Sequence, residues 1–136
     1  MNSKQPRISA EVQVMFFDTD CGGVVSNFAY LRFIEIARTL LVEELGLPLA
    51  EMAKTQKYPV VVRTEIDYRR AAKYDDDLEV LTRATLLTPV RIRFDYQIVR
   101  GDETLVVGHT VHATLDARGR PCRLPAPIRE MIGAVQ

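Results

Sequence analysis

In a chain of 136 residues, 18 lysines and arginines balance 18 aspartates and glutamates, and 47% of the residues are hydrophobic. That length suits one domain with a single core and is too short for two substantial ones, so residues 1–136 are read as one domain. The charge balance argues against nucleic acid or an anionic membrane as partner, and no apolar run approaches the roughly 18 residues that a membrane span requires.

Met1 to Arg7 is polar and lacks the apolar region of a secretory signal, so a cytoplasmic location is expected. A strand follows in which Ile8, Ala10, Val12, Val14 and Phe16 alternate with polar Ser9, Glu11 and Gln13. Next comes Asp18-Thr19-Asp20-Cys21-Gly22-Gly23-Val24-Val25, which sets two carboxylates and a glycine turn directly before an apolar helix. The helix is predicted from about Ser26 to Leu45, stopped by Gly46 and Pro48. Tyr30, Phe33, Ile34, Ala37, Leu40, Leu41 and Leu45 fall on helical spacing, and Leu31, Ile36 and Val42 widen the face. A helix of that kind is nearly engulfed. Its polar stripe is narrower: Arg32, Glu35, Arg38, Thr39 and Glu43.

Four strand-like stretches complete the pattern: Pro59 to Tyr68, Leu78 to Leu86, Arg91 to Val99 and Thr104 to Asp116. In the first, Val60, Val62, Thr64, Ile66 and Tyr68 oppose Val61, Arg63, Glu65 and Asp67; in the third, Ile92, Phe94, Tyr96 and Ile98 oppose Arg91, Arg93, Asp95 and Gln97. Asp75-Asp76-Asp77, Thr88-Pro89, Gly101-Asp102 and Ala117 to Pro121 punctuate these stretches as turns. Alternation with hairpin-length connections favours an antiparallel sheet, and Pro127 to Ile132 reads as a short closing helix. The order strand, helix, four strands is α+β: a five-stranded antiparallel sheet around one long central helix. It leaves an edge strand open to a second copy.

The stretch before the helix suits hydrolysis. Free N–H groups at a helix start form an anion site, so an oxyanion formed there is stabilised within reach of a carboxylate. The competing reading is structural, since Asp-rich glycine turns are common connectors in which either aspartate caps the backbone. Cys21 and Cys122 lie far apart with no CxxC or histidine spacing, so free thiols and no metal site are expected.

Phe17 to Val25, then Tyr30-Leu31-Arg32-Phe33-Ile34-Glu35-Ile36-Ala37-Arg38, Gly46, Tyr58-Pro59 and Tyr74-Asp75-Asp76 together resemble the thioesterases of the 4-hydroxybenzoyl-CoA thioesterase type. That family includes the short acyl-CoA thioesterases associated with the Tol-Pal system. The resemblance spans essentially the whole chain. It implies a hotdog fold, a homodimer or a dimer-of-dimers tetramer with sheets joined edge to edge, and active sites at the subunit interface. It also implies an acyl-CoA substrate, with coenzyme A as part of that substrate and no separate cofactor.

By the same resemblance Asp20 is the catalytic carboxylate, and backbone N–H groups around Asn27, flanked by Val25 and Ser26, polarise the thioester carbonyl. One carboxylate suffices for an activated ester, either as nucleophile or as general base to water. Asp18 reads as structural. Many relatives place a histidine where this chain has Asn27, and asparagine cannot replace it as a base. For Asn27 the alternative role is helix N-cap. Glu35 matches a carboxylate that contacts the polar end of an aromatic acyl group in the type enzyme, although an ion pair within the helix, with Arg32 or Arg38, is the simpler expectation. His109 and His112 point to opposite faces of one strand and cannot act as a pair. Arg91, Arg93, Arg118, Arg120 and Arg123 are candidate contacts for coenzyme A phosphates. Tyr68-Arg69-Arg70 lies at either the interface or the substrate mouth. Two other functions compete with acyl-CoA hydrolysis: an acyl-carrier-protein thioesterase and a non-hydrolytic acyl-CoA-binding protein. A hydratase is disfavoured because no histidine stands near the helix.

Overall fold

The computed structural model describes residues 7–46 and 49–133. Five strands form one sheet: β1 (Arg7–Gln13), β2 (Tyr58–Tyr68), β3 (Asp77–Leu86), β4 (Arg91–Arg100) and β5 (Glu103–Leu115), in the order β1-β3-β4-β5-β2. Every pairing is antiparallel. The long helix α1 (Asn27–Glu44) covers one face, and the shorter α2 (Leu49–Thr55) and α3 (Ala126–Gly133) complete the chain. This is the α+β arrangement that the sequence pattern implied and the hotdog fold that the family resemblance implied.

The core forms where the apolar stripe of α1 meets the inward side chains of the sheet. Ala29, Tyr30, Phe33, Ile34, Ala37 and Leu41 are buried against a layer that includes Ala10, Val12, Val80, Phe94 and Ile98. Phe33 is wholly inaccessible, and burying a side chain of that size is worth about 1.5–3 kcal/mol. Strands β1, β3 and β4 alternate in and out, whereas β5 buries the adjacent pair Leu105-Val106 and the run His112 to Thr114.

Three features depart from the sequence pattern. Strand β1 ends at Gln13, and Phe16 begins a single 3-10 turn, Phe16–Asp18, where it stands exposed. Helix α2 occupies a stretch that showed no helical periodicity; of its side chains Met52 is buried. In β2, the register slips between Val61 and Arg63, so Val62 is an extra residue. Val61 then lies opposite His112, and Thr64 opposite Thr110. Directly opposed residues share a face, so Val61, and not Val62, joins Thr64, Ile66 and Tyr68 on the inward side.

Strand β2 is a sheet edge with β5 on one side alone. Tyr58, Val60, Val61, Val62 and Tyr68 are all exposed along it. An unpaired edge rich in exposed valine is the arrangement that invites another strand.

Candidate active site

The segment between β1 and α1 folds back on itself. Thr19 bridges to Val25, the Asp20 N–H donates to the Val24 carbonyl at 2.9 Å, and the Gly23 N–H donates to the Asp20 carbonyl at 3.1 Å. Of the two glycines, Gly23 is the one whose backbone conformation calls for glycine. Gly23 sits at φ +79°, and a Cβ on Gly22 would come within 3.2 Å of Asp20 Oδ1.

The two aspartates end in opposite environments. Asp18 is 2% exposed, accepts the Met15 N–H at 2.9 Å, and takes both Nε (3.0 Å) and Nη2 (2.5 Å) of Arg32. It is a buried structural anchor for the turn. Asp20 is exposed; its Oδ1 accepts the Gly22 N–H at 2.8 Å, while Oδ2 has no protein partner among the described residues. The turn therefore orients the carboxylate through one oxygen and leaves the other open.

At the start of α1 the backbone donors divide. The Val25 N–H donates to the Ala72 carbonyl and the Ser26 N–H to the Asp18 carbonyl, both at 2.9 Å. These two expected oxyanion donors are already committed, because the turn is tied to the loop after β2 and to the 3-10 turn. The N–H groups of Asn27 and Phe28 have no acceptor among the described residues, which is the usual state of the first helical donors. Ser26, with extended φ −70° and ψ 154°, is the N-cap residue, so Asn27 is the first helical residue and not the cap.

Asn27, Val25 and Tyr30 line a recess closed on its far side by Tyr68, Arg69, Arg70 and Ala71, the end of β2 and the loop beyond it. The Ala72 N–H donates to the Tyr30 hydroxyl at 3.0 Å, which holds this loop against the helix. Arg70 is paired with Glu103 at 2.7 Å; Arg69 is exposed and its side chain has no partner among the described residues, leaving it a cation available beside the recess. Arg91 and Arg93 lie instead on the outward side of β4, with Arg93 bonded to Asp95 at 2.9 Å, and Arg118 and Arg120 belong to the turn after β5. The residues expected to contact phosphate are thus not those the fold brings to the helix start.

Glu35 does not form the expected ion pair. Arg32 is taken by Asp18 and Arg38 reaches the Tyr96 hydroxyl at 3.2 Å, so Glu35 has no ion-pair partner among the described residues. It borders a second cavity, of about 320 Å³, between α1 and β2. His112, which the sequence marked only as a strand residue on the face opposite His109, also lines this cavity, buried at 2% exposure with its ring edge-on to Phe94. His109, on the outward face, lies 3.4 Å from Glu65. Both cysteines are free, and no cluster of metal-ligating side chains occurs among the described residues.

The model of the family described as the thioesterase-like superfamily matches residues 14–134. The chain belongs to this family of thioester hydrolases. The acyl-CoA thioesterase YbgC of Haemophilus influenzae is 33% identical over 123 residues, covering 89% of this chain and 90% of that protein. The acyl-CoA thioester hydrolase YbgC of Escherichia coli is 32% identical over 95 residues, covering 70% of this chain and 71% of its own. Among solved structures, a probable thioesterase from Bartonella henselae matches with a TM-score of 0.83 at 29% identity, over 88% of this chain and 99% of that one.

Proposed function

We propose that the protein hydrolyses acyl-CoA thioesters to a free acid and coenzyme A, with Asp20 as base or nucleophile and the Asn27 N–H polarising the thioester carbonyl. The observation that carries this reading is that one short segment offers both an open carboxylate oxygen on Asp20 and unclaimed N–H groups at the first turn of α1. A thioester carbonyl seated on those donors gains negative charge as the tetrahedral intermediate forms, and donors already in place stabilise it without reorganisation. The names of the relatives support acyl-CoA as the substrate class.

In this reading two chains pair through β2. The recess that holds Asn27 is walled by Tyr68 to Ala71 at the end of that strand, so the site lies beside the seam. Arg69 is placed to meet a phosphate of coenzyme A, and Glu35 to meet a polar group on the acyl chain. A carrier-protein substrate would instead need a broad basic surface at the recess, where Arg70 is already neutralised by Glu103.

The test is thiol release from a panel of acyl-CoA esters by the parent and by Asp20→Asn. The variant keeps size and the turn hydrogen bond but loses basicity and nucleophilicity, so turnover should fall by on the order of 10²-fold or more. Sedimentation and a melting curve should match the parent. Near-parental hydrolysis by a dimeric Asp20→Asn protein would make Asp20 a turn residue and defeat the mechanism.

A further inference from the structure

Arg38 and His112, which line the cavity between α1 and β2, are the two ends of a hydrogen-bonded chain that hydrolysis at Asp20 leaves unused. Arg38 Nη1 donates to the Tyr96 hydroxyl at 3.2 Å, that hydroxyl lies 2.7 Å from Thr110 Oγ1, and Thr110 Oγ1 lies 2.9 Å from His112 Nε2. Tyr96, Thr110 and His112 are each 2–3% exposed.

The direction of this chain follows from its first member. A guanidinium only donates, so the Tyr96 oxygen accepts at that end. The phenol hydrogen then has Thr110 Oγ1 as its acceptor, and the threonine hydrogen passes on to His112 Nε2. The opposite direction would leave the Tyr96 hydrogen without an acceptor in a buried site, a condition folded proteins avoid. Burial, reinforced by the positive charge of Arg38, pushes the His112 pKa down to about 3, so the imidazole is neutral and carries one hydrogen. With Nε2 accepting, that hydrogen is on Nδ1. No protein acceptor for it is found among the described residues, and the ring lines the cavity.

We propose that His112 is a specificity-determining residue whose Nδ1–H donates into the cavity, selecting acyl groups that bear a neutral oxygen acceptor, hydroxyl or keto, over hydrocarbon chains of equal length. The inference rests on the reading that the acyl group enters this cavity from the start of α1. Val42, Met52, Val61 and Phe94 give the cavity an apolar lining suited to a carbon chain. Glu35 and Glu43 on the same wall disfavour a chain tipped with carboxylate. A hydroxyl satisfies two partners at once, accepting from His112 and donating to Glu35. A hydrocarbon chain leaves the His112 donor unpaired, and it is this penalty on the wrong substrate that produces discrimination.

The experiment compares kcat/KM for CoA esters of hydroxyacyl, ketoacyl and unsubstituted acyl groups of matched length, in the parent, His112→Leu and His112→Asn. The parent should prefer the oxygen-bearing esters. Leucine should lower that preference about ten-fold, the scale of one buried hydrogen bond, and asparagine, whose amide N–H₂ stands near the position of Nδ1, should keep most of it. A general loss of folded protein lowers all three rates together and leaves the ratio unmoved. Nitrogen chemical shifts of the imidazole in the parent protein supply a second readout that needs no variant, with a proton on Nδ1 expected. A proton on Nε2, or an unchanged preference in His112→Leu, overturns the proposal while leaving hydrolysis intact. Absence of thiol release from every ester by the parent overturns the acyl-site reading and this inference with it.

Discussion

The first turn of α1 and the cavity beside its middle are built in different ways. At the turn, everything from Asp18 to Phe28 comes from one continuous stretch, and in the proposed mechanism the active group is in part the backbone itself. The cavity draws Arg38 from α1, Met52 from α2, Val61 from β2, Phe94 from β4 and His112 from β5. Chemistry that depends on backbone N–H groups is tolerant of side-chain change and sensitive to backbone change. Chemistry that depends on convergent side chains is the reverse.

The sharpest way to break that contrast is a pair of substitutions at one position. Asn27 is the first helical residue, where proline is well accommodated, and Ser26 before it already has the extended φ −70° and ψ 154° that a following proline demands. Asn27→Pro therefore removes the N–H with little cost to the fold. Turnover should fall by roughly 10²–10³-fold, the cost of one oxyanion donor. Asn27→Ala keeps the N–H and removes an exposed side chain with no partner among the described residues, so its turnover should stay within about two-fold of the parent by the same criterion. Single-turnover rates on one acyl-CoA ester decide both. Equal losses in the two variants would transfer the role from the backbone to the asparagine amide.

A smaller effect separates the two aspartates. Asp18→Ala strips Arg32 and the Met15 N–H of their acceptor in a buried position. Arg32 is itself 39% exposed and rehydrates in part, so the loss of stability should be about 2–3 kcal/mol, below the range for a fully buried pair. Denaturant titration of Asp18→Ala and Asp20→Ala gives the comparison, with the Asp20 variant near the parent in midpoint. A stable Asp18→Ala protein would mean that the backbone bonds of the turn alone hold it.

The same contrast explains what was legible in the sequence. The long helix, the five strands and the carboxylate turn are written in local periodicity and glycine placement, and their boundaries agree to within a residue or two except at the end of β1. Val14 and Phe16 continued the alternation of β1, but the 3-10 turn that buries Asp18 on Arg32 interrupts it, and no local pattern announces a partner fourteen residues away. The slip at Val62 was equally invisible, because Val60, Val61 and Val62 are interchangeable to any periodicity. His112 was correctly placed on the face opposite His109, yet the chain it ends runs through Thr110 to Tyr96 on β4 and Arg38 on α1, and only the packed helix and sheet bring these together.

That nonlocal construction has a consequence for acid stability. Burial holds the His112 pKa at about 3 in the folded protein, against about 6.5 in an unfolded chain. Between those values the unfolded chain binds a proton that the folded protein refuses, so acidification favours unfolding. The stability is fully present above the unfolded pKa and is lost as the pH falls through the window toward the folded one, with a limiting slope of about 1.4 kcal/mol per pH unit. From pH 7 to pH 5 the loss attributable to this one side chain should reach about 2 kcal/mol. Denaturant midpoints at the two values measure it, and His112→Asn, which has nothing to protonate in this range, should flatten the dependence. Unfolded-chain carboxylates titrate mostly below pH 5, and the carboxylates are common to both proteins, so their contribution cancels in the difference. A parent and a variant with parallel pH profiles would show that His112 admits a proton in place, and the neutral imidazole assigned to the cavity floor would have to be abandoned.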